Sequence, residues 1–207
     1  MARTSHNITL TNLIAKLVVL APQFPRMIRY LKKAKALNSN SNESIGKILE
    51  ANAGQNGNVI ALQFEDQSYT YSEFNTMVNR YANYFLQEGV KSGETLIAYL
   101  ENRPELLFLI AACAKIGAIA SLINPNQREK TLKHSLKLTK SNYFFIGEEL
   151  LPFFENVRSS LTKKTENKHY WISDQKLLDC PDNYLNLKSK LAQSDTENPN
   201  TTQQIKA

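Results

Sequence analysis

Residues 95–146 read TLIAYLENRPELLFLIAACAKIGAIASLINPNQREKTLKHSLKLTKSNYFFI, and the order of patterns inside this stretch decides the fold. Thr95-Leu96-Ile97-Ala98-Tyr99-Leu100 is a short apolar run of strand-forming residues, the length of a buried strand. Pro104 follows where a helix loses nothing by lacking an N–H. Leu106, Leu107, Ile110, Ala111, Ala114 and Lys115 then keep a helical beat up to Gly117, a C-terminal stop. Ile119-Ala120-Ser121-Leu122-Ile123 is the next strand, broken by Asn124-Pro125-Asn126. Leu132, Leu136 and Leu138 mark a second helix, and Tyr143-Phe144-Phe145-Ile146 a third strand ending at Gly147. Strand, helix, strand, helix, strand with short links predicts parallel pairing through crossovers. The expected class is α/β: a partial parallel sheet with flanking helices, preceded by amphipathic N-terminal helices.

Outward from this unit the signals weaken. Downstream, residues 150–161 are helical in pattern, His169-Tyr170-Trp171-Ile172 can supply a fourth strand, and residues 184–192 a last helix. From Gln193 to Ala207 the chain is polar without a packing pattern, which predicts a linker or frayed tail. Upstream, Val59–Phe64 alternates with Tyr69–Tyr71 around Glu65-Asp66-Gln67-Ser68, a hairpin with a four-residue loop. Thr70-Tyr71-Ser72-Glu73 is a capping box. The helix it opens carries Phe74, Met77, Val78, Tyr81, Ala82 and Phe85 on a core stripe and ends at Gly89. Ser44 caps a short helix through Glu50, with Gly54 and Gly57 turning the chain, and Asn38–Ser44 is a polar linker. No internal repeat is visible.

Charge separates the two sides of that linker. Seven of the 25 Lys and Arg and none of the 19 Asp and Glu precede Glu43, leaving 18 bases against 19 acids in the body. A near-neutral body has no basic stripe for nucleic acid, so no nucleic-acid partner is expected. Within the basic segment, Leu10, Leu13, Ile14, Leu17, Val18 and Ala21 form one helix face interrupted by Lys16. Pro22 and Pro25 break it, and a second helix over residues 25–37 sets Met27, Ile28, Leu31 and Ala34 against Arg26, Arg29, Lys32, Lys33 and Lys35. A helix that is basic, amphipathic and too short to span fits a membrane interface, where each base near an anionic leaflet adds roughly 1 kcal/mol. The expected contacts are Leu13, Leu17, Lys16, Arg26, Arg29, Lys32, Lys33 and Lys35. Two other readings stay open: a helix pair packed on the body with solvated bases, and a secretory signal, although no small-residue cleavage site follows cleanly.

The 207 residues suffice for one domain with a core. Mean hydropathy is −0.39, and no run approaches the roughly 18 consecutive apolar residues of a spanning helix. Cys113 and Cys180 stand far apart without metal-like spacing, Cys113 reads as a small buried hydrophobe, and no disulfide framework is indicated.

A parallel α/β sheet binds ligands outside the carboxyl ends of its strands, which here carry Glu101-Asn102-Arg103 and Asn124-Pro125-Asn126-Gln127-Arg128. Asn102, Arg103, Asn124 and Arg128 are the candidate rim of a ligand crevice, with both arginines available to an anion. The competing reading makes Arg103 and Arg128 helix-start residues in solvent. Glycine-rich phosphate loops and a serine-nucleophile elbow are missing from the sequence. His6, His134 and His169 fall in unrelated settings with no paired acid or cysteine, so no metal ligand set is predicted. No catalytic residue is identified.

The run Tyr69-Thr70-Tyr71-Ser72-Glu73-Phe74 followed by Asn79-Arg80-Tyr81-Ala82-Asn83-Tyr84-Phe85 resembles the first conserved block of adenylate-forming acyl-CoA synthetases, and Leu100–Glu105 resembles the next part. Ala114-Lys115-Ile116-Gly117-Ala118-Ile119-Ala120, then Leu122-Ile123-Asn124 and Arg128, resembles the fatty-acid transport protein and very-long-chain acyl-CoA synthetase branch. The resemblance is strong from about residue 56 to 150. It implies a two-step reaction. A fatty acid carboxylate attacks the ATP α-phosphate with Mg²⁺, and coenzyme A thiol then displaces AMP, so donors and a cation must face the phosphate oxygens. The family supplies these through a phosphate loop, an adenine segment, a ribose-binding aspartate and a C-terminal lysine, none of which occurs here. The resemblance therefore implies a chain truncated just before the phosphate loop, inactive alone and binding no cofactor by itself. ATP, Mg²⁺ and CoA belong to the full-length family. Residues 1–42 are then a membrane-surface segment, 43–192 a truncated AMP-binding N-terminal subdomain, and 193–207 a tail. The implied partners are an anionic membrane surface, the missing remainder of the synthetase and, at full length, a fatty acid. The implied location is cytoplasmic, peripheral to the inner face of a membrane. An alternative is a non-catalytic, membrane-associated module of lipid metabolism.

Overall fold

The computed structural model describes residues 22, 24–36, 44–161, 167–173 and 179–200. The chain divides into two units, residues 1–42 with 206–207 and residues 43–205. In the first, helix α1 spans Phe24–Ala36. Met27, Ile28 and Leu31, spaced three and four apart, are about half exposed, and Arg29 and Lys32 are exposed as well. The expected helix over residues 8–21, with Leu13, Lys16 and Leu17, lies outside the described residues. So do the side chains of Arg26, Lys33 and Lys35.

In the second unit, α2 (Ile45–Gln55) leads to an antiparallel hairpin, β1 (Ile60–Phe64) with β2 (Gln67–Thr70), and then to α3 (Tyr71–Gln87). Alternating elements follow: β3 (Thr95–Tyr99), α4 (Pro104–Ile116), β4 (Ile119–Leu122), α5 (Glu129–Thr139), β5 (Tyr143–Gly147), α6 (Leu151–Arg158), β6 (Lys168–Ile172), β7 (Leu185–Asn186) and α7 (Leu187–Leu191). The last five strands form one parallel sheet in the order β4-β3-β5-β6-β7.

The three inner strands β3, β5 and β6 each feed two cores, because successive side chains leave on opposite faces. Leu96, Ala98, Phe145, Tyr170 and Ile172 pack against Val78, Tyr81, Phe85, Phe108 and Leu109 of α3 and α4. Ile97, Tyr99, Phe144, Ile146 and Trp171 pack against Leu132, Leu136, Phe154 and Val157 of α5 and α6. Burial on both faces explains why these strands are apolar runs rather than alternating ones. Phe145 and Tyr170 are register partners on β5 and β6, with rings stacked 4.6 Å apart.

Local signals set the helix ends as expected. Thr70 accepts from the Glu73 N–H, and Glu73 reaches back to the Thr70 N–H. Gly117 ends α4 at φ 71°, a left-handed conformation suited to glycine. Other expectations are corrected. The hairpin loop has two residues, Glu65 and Asp66, not four, and Glu65 takes φ 51°. Helix α2 runs through Gly54 instead of stopping at Glu50. On α4 the deeply buried face is Phe108, Leu109, Ala112 and Ile116, whereas Leu107 is exposed and Leu106, Ile110 and Ala114 are half-buried. This helix is apolar almost all round, so its pattern carries no phase. Leu138, placed in the α5 stripe, is 68% exposed. The expected helix at residue 184 starts at Leu187 after the two-residue strand β7.

The largest correction concerns the expected tail. Residues 193–200 lie along α3, held by Asn79 and Asn83. The Asn79 Nδ2 donates to the Thr196 carbonyl at 2.7 Å, and the Asn83 Nδ2 to those of Asp195 and Glu197 at 3.0 and 2.9 Å. Backbone bonding by polar side chains gives no apolar periodicity, which is why this seat leaves no pattern in the sequence. Residues 201–207 lie outside the described residues.

Candidate functional site

The carboxyl ends of β3, β5 and β6 meet the hairpin at a cleft of about 350 Å³, lined by Glu65 and Gln67 of the hairpin and by Asn102, Arg103, Glu105, Glu149 and Ser173. Arg103 is the N-cap of α4, with extended backbone and no side-chain cap bond, and its guanidinium reaches across the sheet end. Its Nη1 lies 3.2 Å from Glu149 Oε2 and its Nε 3.4 Å from Glu105 Oε2. Nη2 donates to the carbonyls of Ile172 at 3.1 Å and Ser173 at 2.7 Å. Glu149 also accepts the Glu101 N–H at 2.8 Å. A Cβ at Gly147 would overlap the Glu149 carboxylate, so the glycine makes room for this ion pair.

Arg103 is thus a helix-start residue, though buried with only 9% exposure rather than in solvent. Its charge is taken up by Glu105 and Glu149, and Glu65 and Glu101 add further acids to the lining. Four carboxylates around one engaged guanidinium do not welcome a phosphate. Among the described residues, no group of three or more His, Cys, Asp or Glu converges as metal ligands would. On charge alone, the cleft does not fit the phosphates of ATP.

Arg128 caps α5 and lies elsewhere. Its Nη1 is 3.1 Å from the Tyr99 hydroxyl and 2.8 Å from the Gln127 carbonyl, it also donates to the Pro125 carbonyl, and the guanidinium sits 3.6 Å over the Phe153 ring. Asn124 accepts the Asn126 N–H at 2.9 Å in its own turn. The structure therefore joins Asn102 to Arg103 in the cleft and leaves Asn124 and Arg128 out of its lining. Sequence reasoning missed Glu105, Glu149 and Ser173. Two glutamates within two residues of Pro104 and Gly147 were the available signal, yet only the fold shows that they face Arg103.

Beside the cleft runs a more apolar trough of about 490 Å³. Tyr69, Met77, Tyr81 and Phe108 form one side, and Leu187, Leu191 and Ala192 of α7 and its end form the other. Arg80 and Lys188 border it, and the Arg80 Nη1 reaches the carbonyls of Leu191 and Ala192 at 3.3 and 3.4 Å. Burial pushes the Tyr81 hydroxyl far above its ordinary range, so it stays neutral. Cys113, also buried, has its thiol pushed up to about 12 and is no nucleophile at neutral pH. The trough is thus mainly apolar, with Glu105 as its one lining carboxylate among the described residues.

Comparison with known proteins places these features in context. The family model described as AMP-binding enzyme matches residues 49–205. The medium/long-chain-fatty-acid–CoA ligase FadD6 of Mycobacterium tuberculosis is 32% identical over 143 residues, 66% of this chain and 24% of that protein. Long-chain fatty acid transport protein 1 of Rattus norvegicus is 33% identical over 95 residues, 46% of this chain and 15% of that protein. The chain thus spans a quarter or less of the length of these relatives. Among solved structures, the anthranilate CoA ligase AuaEII, determined in complex with anthranoyl-AMP, superposes with TM-score 0.69 at 22% identity, over 79% of this chain and 30% of that one. The N-terminal domain of FACL13 from Mycobacterium tuberculosis gives TM-score 0.64 at 21% identity, over 77% and 38%. At such identities the two structures speak for the fold alone.

Proposed function

Because the chain belongs to the AMP-binding enzyme family, we propose that it carries the opening part of the adenylate-forming domain of a long-chain or very-long-chain fatty-acid–CoA ligase. It supplies scaffold rather than chemistry. The continuous family match across the folded unit carries this reading, and the similarity to a medium/long-chain ligase supports the choice of substrate class. The full-length reaction would use ATP, Mg²⁺ and CoA. The crowded acids around Arg103 and the absence of a glycine-rich phosphate loop from the sequence argue that this stretch alone does not hold the nucleotide.

The test is fatty-acid-dependent ATP–pyrophosphate exchange by the purified chain with palmitate. No exchange above a heat-killed control is expected, and measurable exchange would overturn the scaffold reading. The coding sequence immediately downstream, read in all frames, separates the alternatives. A phosphate-loop sequence there supports a split ligase whose remainder is the partner. Unrelated sequence supports a non-catalytic module of lipid metabolism.

One observation favours a membrane surface as a further partner. Helix α1 exposes Met27, Ile28 and Leu31 beside the exposed bases Arg29 and Lys32, in a segment with no acid before Glu43. Among the described residues no helix is long and apolar enough to cross a membrane, so the reading is interfacial. Co-sedimentation should rise at least tenfold when a quarter of the lipid in neutral vesicles is replaced by phosphatidylserine. It should fall for Ile28→Glu and Leu31→Glu together. Equal binding to neutral and anionic vesicles would sink this second reading.

A further inference from the structure

Lys115 is the next-to-last residue of α4, with its side chain 1% exposed. Four oxygens surround its ammonium: Glu50 Oε1 at 2.7 Å, Asn75 Oδ1 at 2.8 Å, Asn79 Oδ1 at 2.7 Å and Asn198 Oδ1 at 2.9 Å. An ammonium has three protons, so these acceptors share it. They come from three places: α2, α3 and the segment 193–200. Asn75 and Asn79 stand one helical turn apart on α3 and work in both directions. Each turns its Oδ1 to Lys115 and donates its Nδ2 to Asn198 Oδ1 at 3.0 Å. Asn83, a further turn along, continues the row onto the Asp195 and Glu197 carbonyls.

The segment so held, Gln193-Ser194-Asp195-Thr196-Glu197-Asn198-Pro199-Asn200, contains no large apolar side chain. Its retention rests on polar bonds, and the charge-assisted ones converge on Lys115 and Asn198. A segment with little apolar anchorage belongs to the low-stability end of a fold, free to open while the core stays shut. It also runs directly on from α7, whose Leu187, Leu191 and Ala192 wall the apolar trough.

We propose that residues 193–200 form a releasable strap, with Lys115 as its peg and Asn198 as its catch, and that strap seating decides whether the end of α7 closes the apolar trough. In the seated state the strap starts from the point where Arg80 Nη1 holds the Leu191 and Ala192 carbonyls, and Asn79 and Asn83 of the same helix carry it onward. When Asn198 leaves, Lys115 keeps Glu50, Asn75 and Asn79. The buried charge therefore retains partners and the core survives the opening.

Site-resolved hydrogen exchange on the full chain tests this. In Asn198→Ala, the amides of Ala192, Ser194 and Glu197 should exchange at least tenfold faster, while Leu96 and Phe145 in β3 and β5 stay within twofold of the parent. Lys115→Met should do the same, and the double variant should exceed the larger single effect by less than threefold, since both residues serve one catch. Unchanged strap exchange in Asn198→Ala overturns the proposal, as does an equal acceleration of strap and core amides. Should Lys115→Met fail to fold, Asn198→Ala decides alone, because it removes only the strap side of the contact.

Discussion

Gly46 shows how one missing methyl sets a helix contact. It lies in the first turn of α2 and is buried, and a Cβ there would stand 2.7 Å from Lys115 Cγ and 3.1 Å from Lys115 Cα. Gly46 and Glu50, four residues apart, thus grip the stem and head of the same lysine. Burial drives the Lys115 pKa down while Glu50 pulls it back up, so displacing α2 unbalances a buried charge. Gly46→Ala gains at most about 1 kcal/mol of helix propensity against about 1–3 kcal/mol for overpacking. Its urea midpoint should fall, and an unchanged or higher midpoint would count against the contact. His169 offers a pH reading. Its ring sits among Phe144, Phe154 and Tyr184, with centroids 5.1, 5.7 and 5.9 Å away. Burial, aided by the nearby Arg158 charge, lowers its pKa to about 4. The unfolded chain takes up the proton near 6.5 and the folded chain only near 4, so the group costs stability as pH falls through that window. His169→Phe should lose less stability than the parent between pH 7 and pH 5; equal losses would show that the ring is not held neutral.

Among the elements, β4 is the exposed margin of the sheet. It ends the strand order, and Ile119 and Leu122 are each 52% exposed. An edge strand with exposed apolar side chains offers unpaired backbone groups to a second chain. Ile119→Lys with Leu122→Lys should leave the unfolding midpoint nearly unchanged and suppress concentration-dependent association in light scattering. If the double variant associates as strongly as the parent, contact runs through another face. What was legible at this scale was what is local. The Thr70–Glu73 box, Pro104 and Gly117 fix helix ends through neighbours three to five residues away, and the apolar runs 95–100 and 143–146 announce strands buried on both sides. The two-residue strand β7 is too short to carry a period. The phase of α4 was lost because its apolar surface goes almost all the way round.

For the whole molecule, the division after Asn42 coincides with the change from a purely basic segment to a near-neutral body. The family match begins soon afterwards, at residue 49. Of the rim residues named from the sequence, Asn102 and Arg103 line the cleft while Asn124 and Arg128 do not, and the acids facing Arg103 carry no sequence signal of their meeting. Arg103 finds Glu149 and the Ile172 carbonyl 46 and 69 residues downstream, and no spacing rule reaches so far. The seat of residues 193–200 on α3, separated by well over 100 residues, escaped for the same reason. Both join residues that only the tertiary fold brings together.

The guanidinium of Arg103 spans from the end of β3 to that of β6, although β5 lies between them. Such a crossbar keeps the tips of three strands from splaying, for parting them would tear an ion pair and two carbonyl bonds at once. The mouth of the crevice consequently has a fixed gauge. Of the residues around that mouth, Glu65 and Gln67 of the hairpin take no part in the crossbar, so the hairpin is the side left to adjust to a guest.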